Sequence, residues 1–235
     1  VNFREGDYMR IGITGDTHGD LNFQQIYKAR KGGITDLFIC GDFGYIWDGS
    51  LKEQKQIDYM SKIGINIYFI DGNHENHEIL NSLPVSTMFG GKVHKIRNNI
   101  IHLMRGEVYT INNRKFFVFG GANSTDKEYR VEGKSWWKEE CPSEEEMQYA
   151  RENLKRHNNK VDYILTHTCY PVALDYVGGD TRIDEVADFL NEIKHTEDFT
   201  YWFFGHMHIN YNILDLRTRC LYKDVIEIMK LVVLD

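Results

Sequence analysis

Phe69-Ile70-Asp71-Gly72-Asn73-His74-Glu75 decides how this chain folds: an apolar run ends in glycine and then presents an asparagine and a histidine side by side. Open α/β sheets keep their sites outside the carboxyl ends of parallel strands, so a buried strand that empties into two ligand-capable side chains points to such an edge. Four other apolar runs end in a similar way. Residues 11–15 lead to Asp16-Thr17-His18-Gly19-Asp20, 36–40 to Gly41-Asp42, 161–165 to Thr166-His167, and 201–204 to Gly205-His206-Met207-His208.

Working outward, apolar residues recur at helical spacing over residues 21–30 and 51–63, stopped by Gly32-Gly33 and by Gly64. Strand and helix in alternation predict right-handed βαβ units around a parallel sheet, an α/β class. A helical piece over 76–83 follows, and then the pattern changes. Two alternating apolar runs, 101–110 and 115–119, flank Asn112-Asn113, which is hairpin-turn chemistry, so antiparallel strands are expected there. Residues 122–142 carry Lys127, Arg130, Lys134 and Trp136-Trp137 without periodicity and read as a long structured loop. Ser143 with Glu146 three residues on predicts a capping box that opens a helix to residue 157. A loop over 168–180, a helix over 183–193 and closing strands over 213–224 and 225–234 complete the reading. No repeat or linker divides the chain, which predicts one domain over 9–235 with residues 1–8 an extension outside it.

Composition bounds the function. At 235 residues with 42% hydrophobic and 13% aromatic content, the chain can bury a substantial core. A run of about 18 uncharged apolar residues is missing, as is a basic start followed by an apolar stretch, so neither a membrane span nor a secretory signal is expected, and the expected location is the cytoplasm. Cys40, Cys141, Cys169 and Cys220 form no CxxC pair and read as free thiols. A net charge of −7 disfavours broad nucleic-acid binding. Oligomeric state is left open.

The strand ends together offer Asp16, His18, Asp42, Asn73, His74, His167, His206 and His208. One aspartate after a strand is ordinarily a turn former, and one histidine ordinarily a satisfied loop residue. Five such ends in one chain favour a metal centre instead. Imidazole with carboxylate and amide oxygen suits manganese, iron, zinc, cobalt or nickel. The donors exceed one tetrahedral site and fit two ions sharing a carboxylate, about 3.5–4 Å apart as in two-metal hydrolases. The His-x-His spacing of His206 and His208 lets an extended segment turn both rings the same way, one toward each ion.

The series Gly15-Asp16-Thr17-His18-Gly19, Gly41-Asp42, Gly72-Asn73-His74-Glu75, Thr166-His167 and Gly205-His206-Met207-His208 resembles the calcineurin-like metallophosphoesterase superfamily in order, residue type and rough spacing. The resemblance implies a four-layer αββα sandwich of two mixed β-sheets with two divalent metals at one end, manganese first among them. It implies that Asp16, His18 and His208 hold one metal and Asn73, His167 and His206 the other, with Asp42 bridging. His74 would meet the substrate phosphate and protonate the leaving group, and hydroxide held by the metals would attack a phosphomonoester or phosphodiester. The substrate expected is a phosphorylated small molecule or nucleotide. A serine/threonine protein phosphatase is the second reading, and a metal-bound scaffold with little catalysis the third.

The chain departs from the family in its second motif. Many members continue it as Gly-Asp-x-x-Asp-Arg-Gly, but here Tyr45 stands where the second aspartate should be and no arginine follows. Asp48 and Asp71 are the candidates to orient His74 in its place. Asn123, Lys127 and Arg130 are the candidates to contact substrate, in a Gly-Gly-Ala…Asp-Lys…Arg…Trp-Trp stretch that resembles bacterial and phage phosphoesterases. Trp136, Trp137, Tyr129 and Tyr170 suggest base stacking, weighed against simple packing of the loop. His77, His94, His102, His157 and His195 are read as non-ligands, and Glu75 as support for the Asn73–His74 turn.

Overall fold

The computed structural model describes residues 9–179 and 184–228. In chain order the elements are β1 (Ile11–Thr14), α1 (Gln24–Lys31), β2 (Asp36–Cys40), α2 (Leu51–Met60), β3 (Asn66–Ile70), α3 (His77–Ser82), β4 (Val85–Met88), β5 (Gly91–Arg97) and β6 (Ile100–Leu103). They continue with β7 (Val108–Ile111), β8 (Arg114–Phe119), α4 (Glu144–Arg156), β9 (Tyr163–Thr166), α5 (Pro171–Tyr176), α6 (Glu185–Thr196), β10 (Tyr201–Phe204), β11 (Tyr211–Ile213), β12 (Thr218–Cys220) and β13 (Ile226–Glu227). No helix among the described residues is long and apolar enough to cross a membrane.

Two mixed sheets result. The first has the order β13-β1-β2-β3-β6-β5-β4 and the second β11-β12-β10-β9-β8-β7. Each has a four-strand parallel centre with antiparallel strands at its edges.

Residue alternation along the strands assigns the layers. On β2, Leu37 and Ile39 face Ile26 and Ala29 of α1 and Ile57 and Met60 of α2, whereas Phe38 and Cys40 face the other sheet. On β8, Phe116 and Val118 meet the first sheet, and Phe117 and Phe119 meet α4 and α6 through Met147, Leu154, Phe189 and Ile193. Phe38 and Phe116 stack across the interface, 5.2 Å apart and 7° from parallel. Strands buried on both faces read as continuous apolar runs, and that is the sequence signature of β2, β3, β8 and β10. The order helix, sheet, sheet, helix is the four-layer αββα arrangement.

Four expectations need correction. The apolar run 101–110 is not one strand: β6 ends at Leu103, a turn with Gly106 at φ 77° follows, and β7 starts in the other sheet. Moreover β6 lies parallel to β3, so the parallel centre continues past the point where antiparallel pairing was expected. The hairpin β4–β5 gives no sequence signal, because its turn is Phe89-Gly90, both at positive φ, and a phenylalanine there is not a turn former. Helix α5 lies within the expected loop, started by Pro171 at its first position. The closing region holds three short strands rather than two long ones. Ile183, the expected start of a helix, and the ends of the 168–180 and 225–234 expectations lie outside the described residues. The Asn112-Asn113 turn and the Ser143–Glu146 capping box are both present as read.

Candidate metal centre

The parallel centres of the two sheets bring the ends of β1, β2, β3, β9 and β10 to one place. There His18, Asp42, His206 and His208 all have positive φ, at 49°, 46°, 64° and 53°. Non-glycine residues in this region are uncommon, and several together at one site mark a backbone bent to aim side chains. Two glycines make the close approach feasible. A Cβ on Gly72 would stand 2.0 Å from Asp42 Oδ1, and one on Gly205 would stand 2.2 Å from Asp16 Oδ1.

The ligand-capable atoms of Asp16, His18, Asp42 and His208 lie within 4.8 Å of one another. His18 Nε2 is 2.8 Å from His208 Nε2 and 3.6 Å from Asp42 Oδ2, and His208 Nε2 is 3.1 Å from Asp16 Oδ2. Asp16 is fully buried; its Oδ1 accepts the His206 backbone N–H at 2.9 Å, while its Oδ2 makes no well-directed hydrogen bond. A buried carboxylate oxygen without a donor is costly, and a cation beside it removes the cost.

A second group adjoins across Asp42. The Nδ1–H of His167 donates to the Cys40 carbonyl at 2.9 Å, which assigns the ring's proton and turns Nε2 inward. That Nε2 faces two oxygens, Asn73 Oδ1 at 2.9 Å and Asp42 Oδ1 at 3.3 Å. Three electron-rich atoms converge, so a proton or a metal ion must lie among them. Burial of His167 opposes its charge, yet Asp42 and then Asp16 push it up to about 10, while burial and then the neighbouring His167 hold His206 down at about 4. Burial alone would raise the Asp42 carboxyl, but His167, His74 and His18 hold it well below the usual range. The His206 ring centroid is 4.9 Å from that of His167. Asp42 therefore directs one oxygen to each group. The donor set of buried carboxylates, imidazoles and an amide oxygen fits divalent cations.

His74 sits at the edge of this cluster, its ring 5.4 Å from that of His18 and its backbone N–H donating to Asp42 Oδ1 at 2.8 Å. Its ring meets Arg130, whose two terminal guanidinium nitrogens lie 3.1 Å from Nδ1 and from Nε2. Arg130 is also paired with Asp126 at 2.8 Å. Burial lowers the His74 pKa, Asp42 opposes this, and Arg130 adds to the lowering. Lys127 donates to Asn123 Oδ1 at 3.2 Å, and both line a cavity of about 340 Å³ with Thr168, Leu174, His206 and Met207.

Neither aspartate proposed to orient His74 does so. Asp48 accepts the Ser50 N–H in an exposed turn, and its own N–H is held by Glu53. Asp71 continues the alternation of β3 onto the opposite face from Ile70, where Arg105 grips it at 2.8 Å and His102 approaches at 3.4 Å. Tyr45, at the departed motif position, donates to the Asp20 carbonyl at 2.7 Å and stacks on Phe23. The cation at His74 comes instead from Arg130, in a loop without periodicity.

A calcineurin-like phosphoesterase family model matches residues 9–210. The chain belongs to the calcineurin-like phosphoesterase family. Among solved structures, the sulfate thiohydrolase SoxB of Termus thermophilus in complex with glycerol is similar over 88% of this chain and 37% of that chain, at 14% identity and a TM-score of 0.38. No curated protein matches the chain.

Within this calcineurin-like phosphoesterase, further residues support the site. Glu75 is almost fully buried and accepts from the Phe43 N–H at 2.6 Å and the Gly44 N–H at 3.3 Å, so it clamps the loop after Asp42 rather than the Asn73–His74 turn. Gln25 donates to the Asp16 carbonyl at 2.8 Å and the Tyr222 carbonyl at 2.9 Å, tying the first motif to the chain beyond β12; a glutamine in a helix gives no sequence signal of this. Trp137 packs edge-on against Trp47, and Tyr170 is buried against Thr218 and Trp202, so the loop-packing reading holds for both; Tyr129 is exposed. His77, His94 and His102 are buried around Asp71 at a separate cavity, and His157 and His195 lie at helix ends.

Proposed function

We propose that this calcineurin-like phosphoesterase is a binuclear metal-dependent hydrolase of a small-molecule or nucleotide phosphomonoester or phosphodiester. The observation that carries the reading is the convergence of Asp16, His18, Asp42 and His208 within 4.8 Å, with His74 and Arg130 at its edge. Asp16, His18 and His208 would hold one ion, Asn73, His167 and His206 the other, and Asp42 would be shared. Such ions supply Lewis acidity, neutralising phosphoryl oxygens and lowering the pKa of water.

The protein's own groups do the rest. Arg130 brings a bidentate donor set matched to phosphoryl oxygens. A neutral His74 can accept from Arg130 at one ring nitrogen only and carries its proton on the other, so a phosphate that draws the guanidinium away leaves that N–H to give its proton to the leaving oxygen. The cavity beside His206 and Met207, with Asn123 and Lys127 on its wall, would receive the remainder of the substrate. Manganese leads the proposed metals, with iron, zinc, nickel and cobalt compatible with the same donors. Four free cysteines, three of them buried, suit a reducing cytoplasm.

The test is a metal count on the purified chain followed by assays of the Mn-supplemented protein on a monoester, a diester, cyclic nucleotides and a phosphopeptide. Two ions per chain with turnover of a small or nucleotide ester is expected. Two ions with silence on every ester would leave a metal-bound scaffold, and preferred turnover of the phosphopeptide would make it a protein phosphatase.

A further inference from the structure

Asn73 presents an amide whose two ends differ in chemistry: Oδ1 can bind a cation and Nδ2 cannot. What decides which end faces His167 and Asp42 is a chain of buried hydrogen bonds on the other side. Asn73 Nδ2 donates to Ser124 Oγ at 2.9 Å, Ser124 Oγ donates to Glu140 Oε2 at 2.7 Å, and the Ser124 backbone N–H donates to Glu140 Oε1 at 2.8 Å. Asn73 and Ser124 are each 4% exposed and Glu140 is 0% exposed, so water does not offer alternatives.

We propose that Ser124 and Glu140 are positioning residues that hold the Asn73 amide oxygen toward the second metal seat; this rests on the reading of Asn73 as a metal donor. The polarity of the chain makes the argument. Both Glu140 oxygens accept from Ser124, which commits the single hydroxyl proton of Ser124 to Glu140. Ser124 Oγ is then left with lone pairs only, and of the two ends of the Asn73 amide it can take only the NH2. The oxygen therefore turns inward. This matters because only the oxygen end of the Asn73 amide can bind a cation. Outer partners of this kind orient a metal ligand before the metal arrives, and their loss costs about 10–100-fold in metal affinity.

The relay can also be reversed without changing its shape. In Glu140→Gln, the new NH2 would clash with the Ser124 backbone N–H, so it settles against Ser124 Oγ and donates to it. The Ser124 hydroxyl proton then points to Asn73 and selects its oxygen, turning the NH2 toward the metal seat.

The experiment is graded chelator competition with Mn on the full chain, with bound-metal counts and melting curves, for the wild type, Ser124→Ala, Glu140→Gln and Asn73→Ala. Two ions per wild-type chain are expected. Ser124→Ala and Glu140→Gln should each weaken one of the two by about 10–100-fold and spare the other, and Asn73→Ala should lose that same ion. Glu140→Gln keeps the volume of the side chain and carries the test if Ser124→Ala melts early. Wild-type binding of both ions in Ser124→Ala and Glu140→Gln, with one ion lost in Asn73→Ala, would overturn the positioning role and leave the proposed function standing. Equal weakening of both ions, the mark of general loosening, would overturn it too. Retention of both ions by Asn73→Ala would remove Asn73 from the donor set, and the proposal with it.

Discussion

The two terminal nitrogens of Arg130 lie 3.1 Å from the two ring nitrogens of His74, so the arginine covers the imidazole edge that would face a leaving group. On the proposed function, Arg130 would be both the substrate's cation and a cover that the substrate displaces. Arg130→Ala should lower kcat/KM by about 10–100-fold, the value of a lost charge-assisted hydrogen bond, with the larger part in KM. Bound metal should not change. A steady-state comparison alongside a metal count checks this, and an unaltered KM would separate Arg130 from the substrate.

His74 is given no ligand position, although its backbone N–H holds Asp42. His74→Ala keeps that N–H and removes only the imidazole. Turnover of esters with poor leaving groups should fall by about 10²–10⁴-fold, and activated aryl esters should lose far less. A loss of bound metal equal to the loss of rate would show that His74 serves the metals and not the leaving group.

The strand ends were legible because each is an apolar run buried on both faces and stopped by glycine or a polar pair, a pattern that hydrophobicity alone imposes. Hence the ends carrying Asp16, Asp42, Asn73, His167, His206 and His208 could be read in order. What could not be read was which sheet a strand joins: nothing in residues 101–110 distinguishes two short strands in two sheets from one long strand. Asp71 misled for a related reason. Nearness in sequence to His74 suggested contact, but alternation along β3 puts Asp71 on the outer face beside His102 and Arg105. Ser124 and Glu140 come from a loop whose path is dictated by tertiary contacts and has no period to detect; Arg130, in the same loop, was legible only as a cation near the site, not as the partner of His74.

The buried pair that Asp71 forms with Arg105 predicts a stability effect. The Asp71 carboxyl is disfavoured by burial, but Arg105 and then His102 hold it far below its usual range. Arg105→Met would strand a buried charge and should cost about 3–5 kcal/mol. Asp71→Asn with Arg105→Met together should cost less than the single change. A depressed folded value means that the pair's contribution is complete above the unfolded carboxylate value near ~3.9 and drains away as pH falls below it. Urea melts from pH 7 down to pH 3 should therefore show a flatter acid limb in Arg105→Met, and an unchanged limb would refute the assignment.

Glu197 follows the opposite sign. Burial raises its carboxyl from 4.5 to about 7, against a smaller opposing bond from Thr196, and its Oε2 has no hydrogen-bond partner. The folded chain therefore binds this proton more tightly than the unfolded chain, and the associated stability is full below 4.5 and is lost as pH rises toward about 7. Glu197→Gln should match the wild type at low pH and melt higher at pH 8. Because the group is half-exposed, solvent screening limits the gain to about 1 kcal/mol. Parallel melting curves across this range decide it.

Gly205 tests whether close approach sets the metal geometry. A Cβ at this position would lie 2.2 Å from Asp16 Oδ1 and 2.7 Å from the Cys40 carbonyl oxygen, so Gly205→Ala must move either the Asp16 carboxylate or the backbone that carries His206 and His208. Either shift separates donors that have to converge, and a misplaced ligand costs affinity before it costs the fold, whose apolar clusters lie between the sheets and beneath the helices. The expected result is loss of at least one bound ion, with a residual far-ultraviolet spectrum like that of the wild type. Adding manganese should raise the wild-type melting temperature, since a ligand that binds only the folded chain stabilises it by mass action, and that shift should shrink in Gly205→Ala. Normal metal content in a folded Gly205→Ala protein would mean that the carboxylate has room the structure does not show.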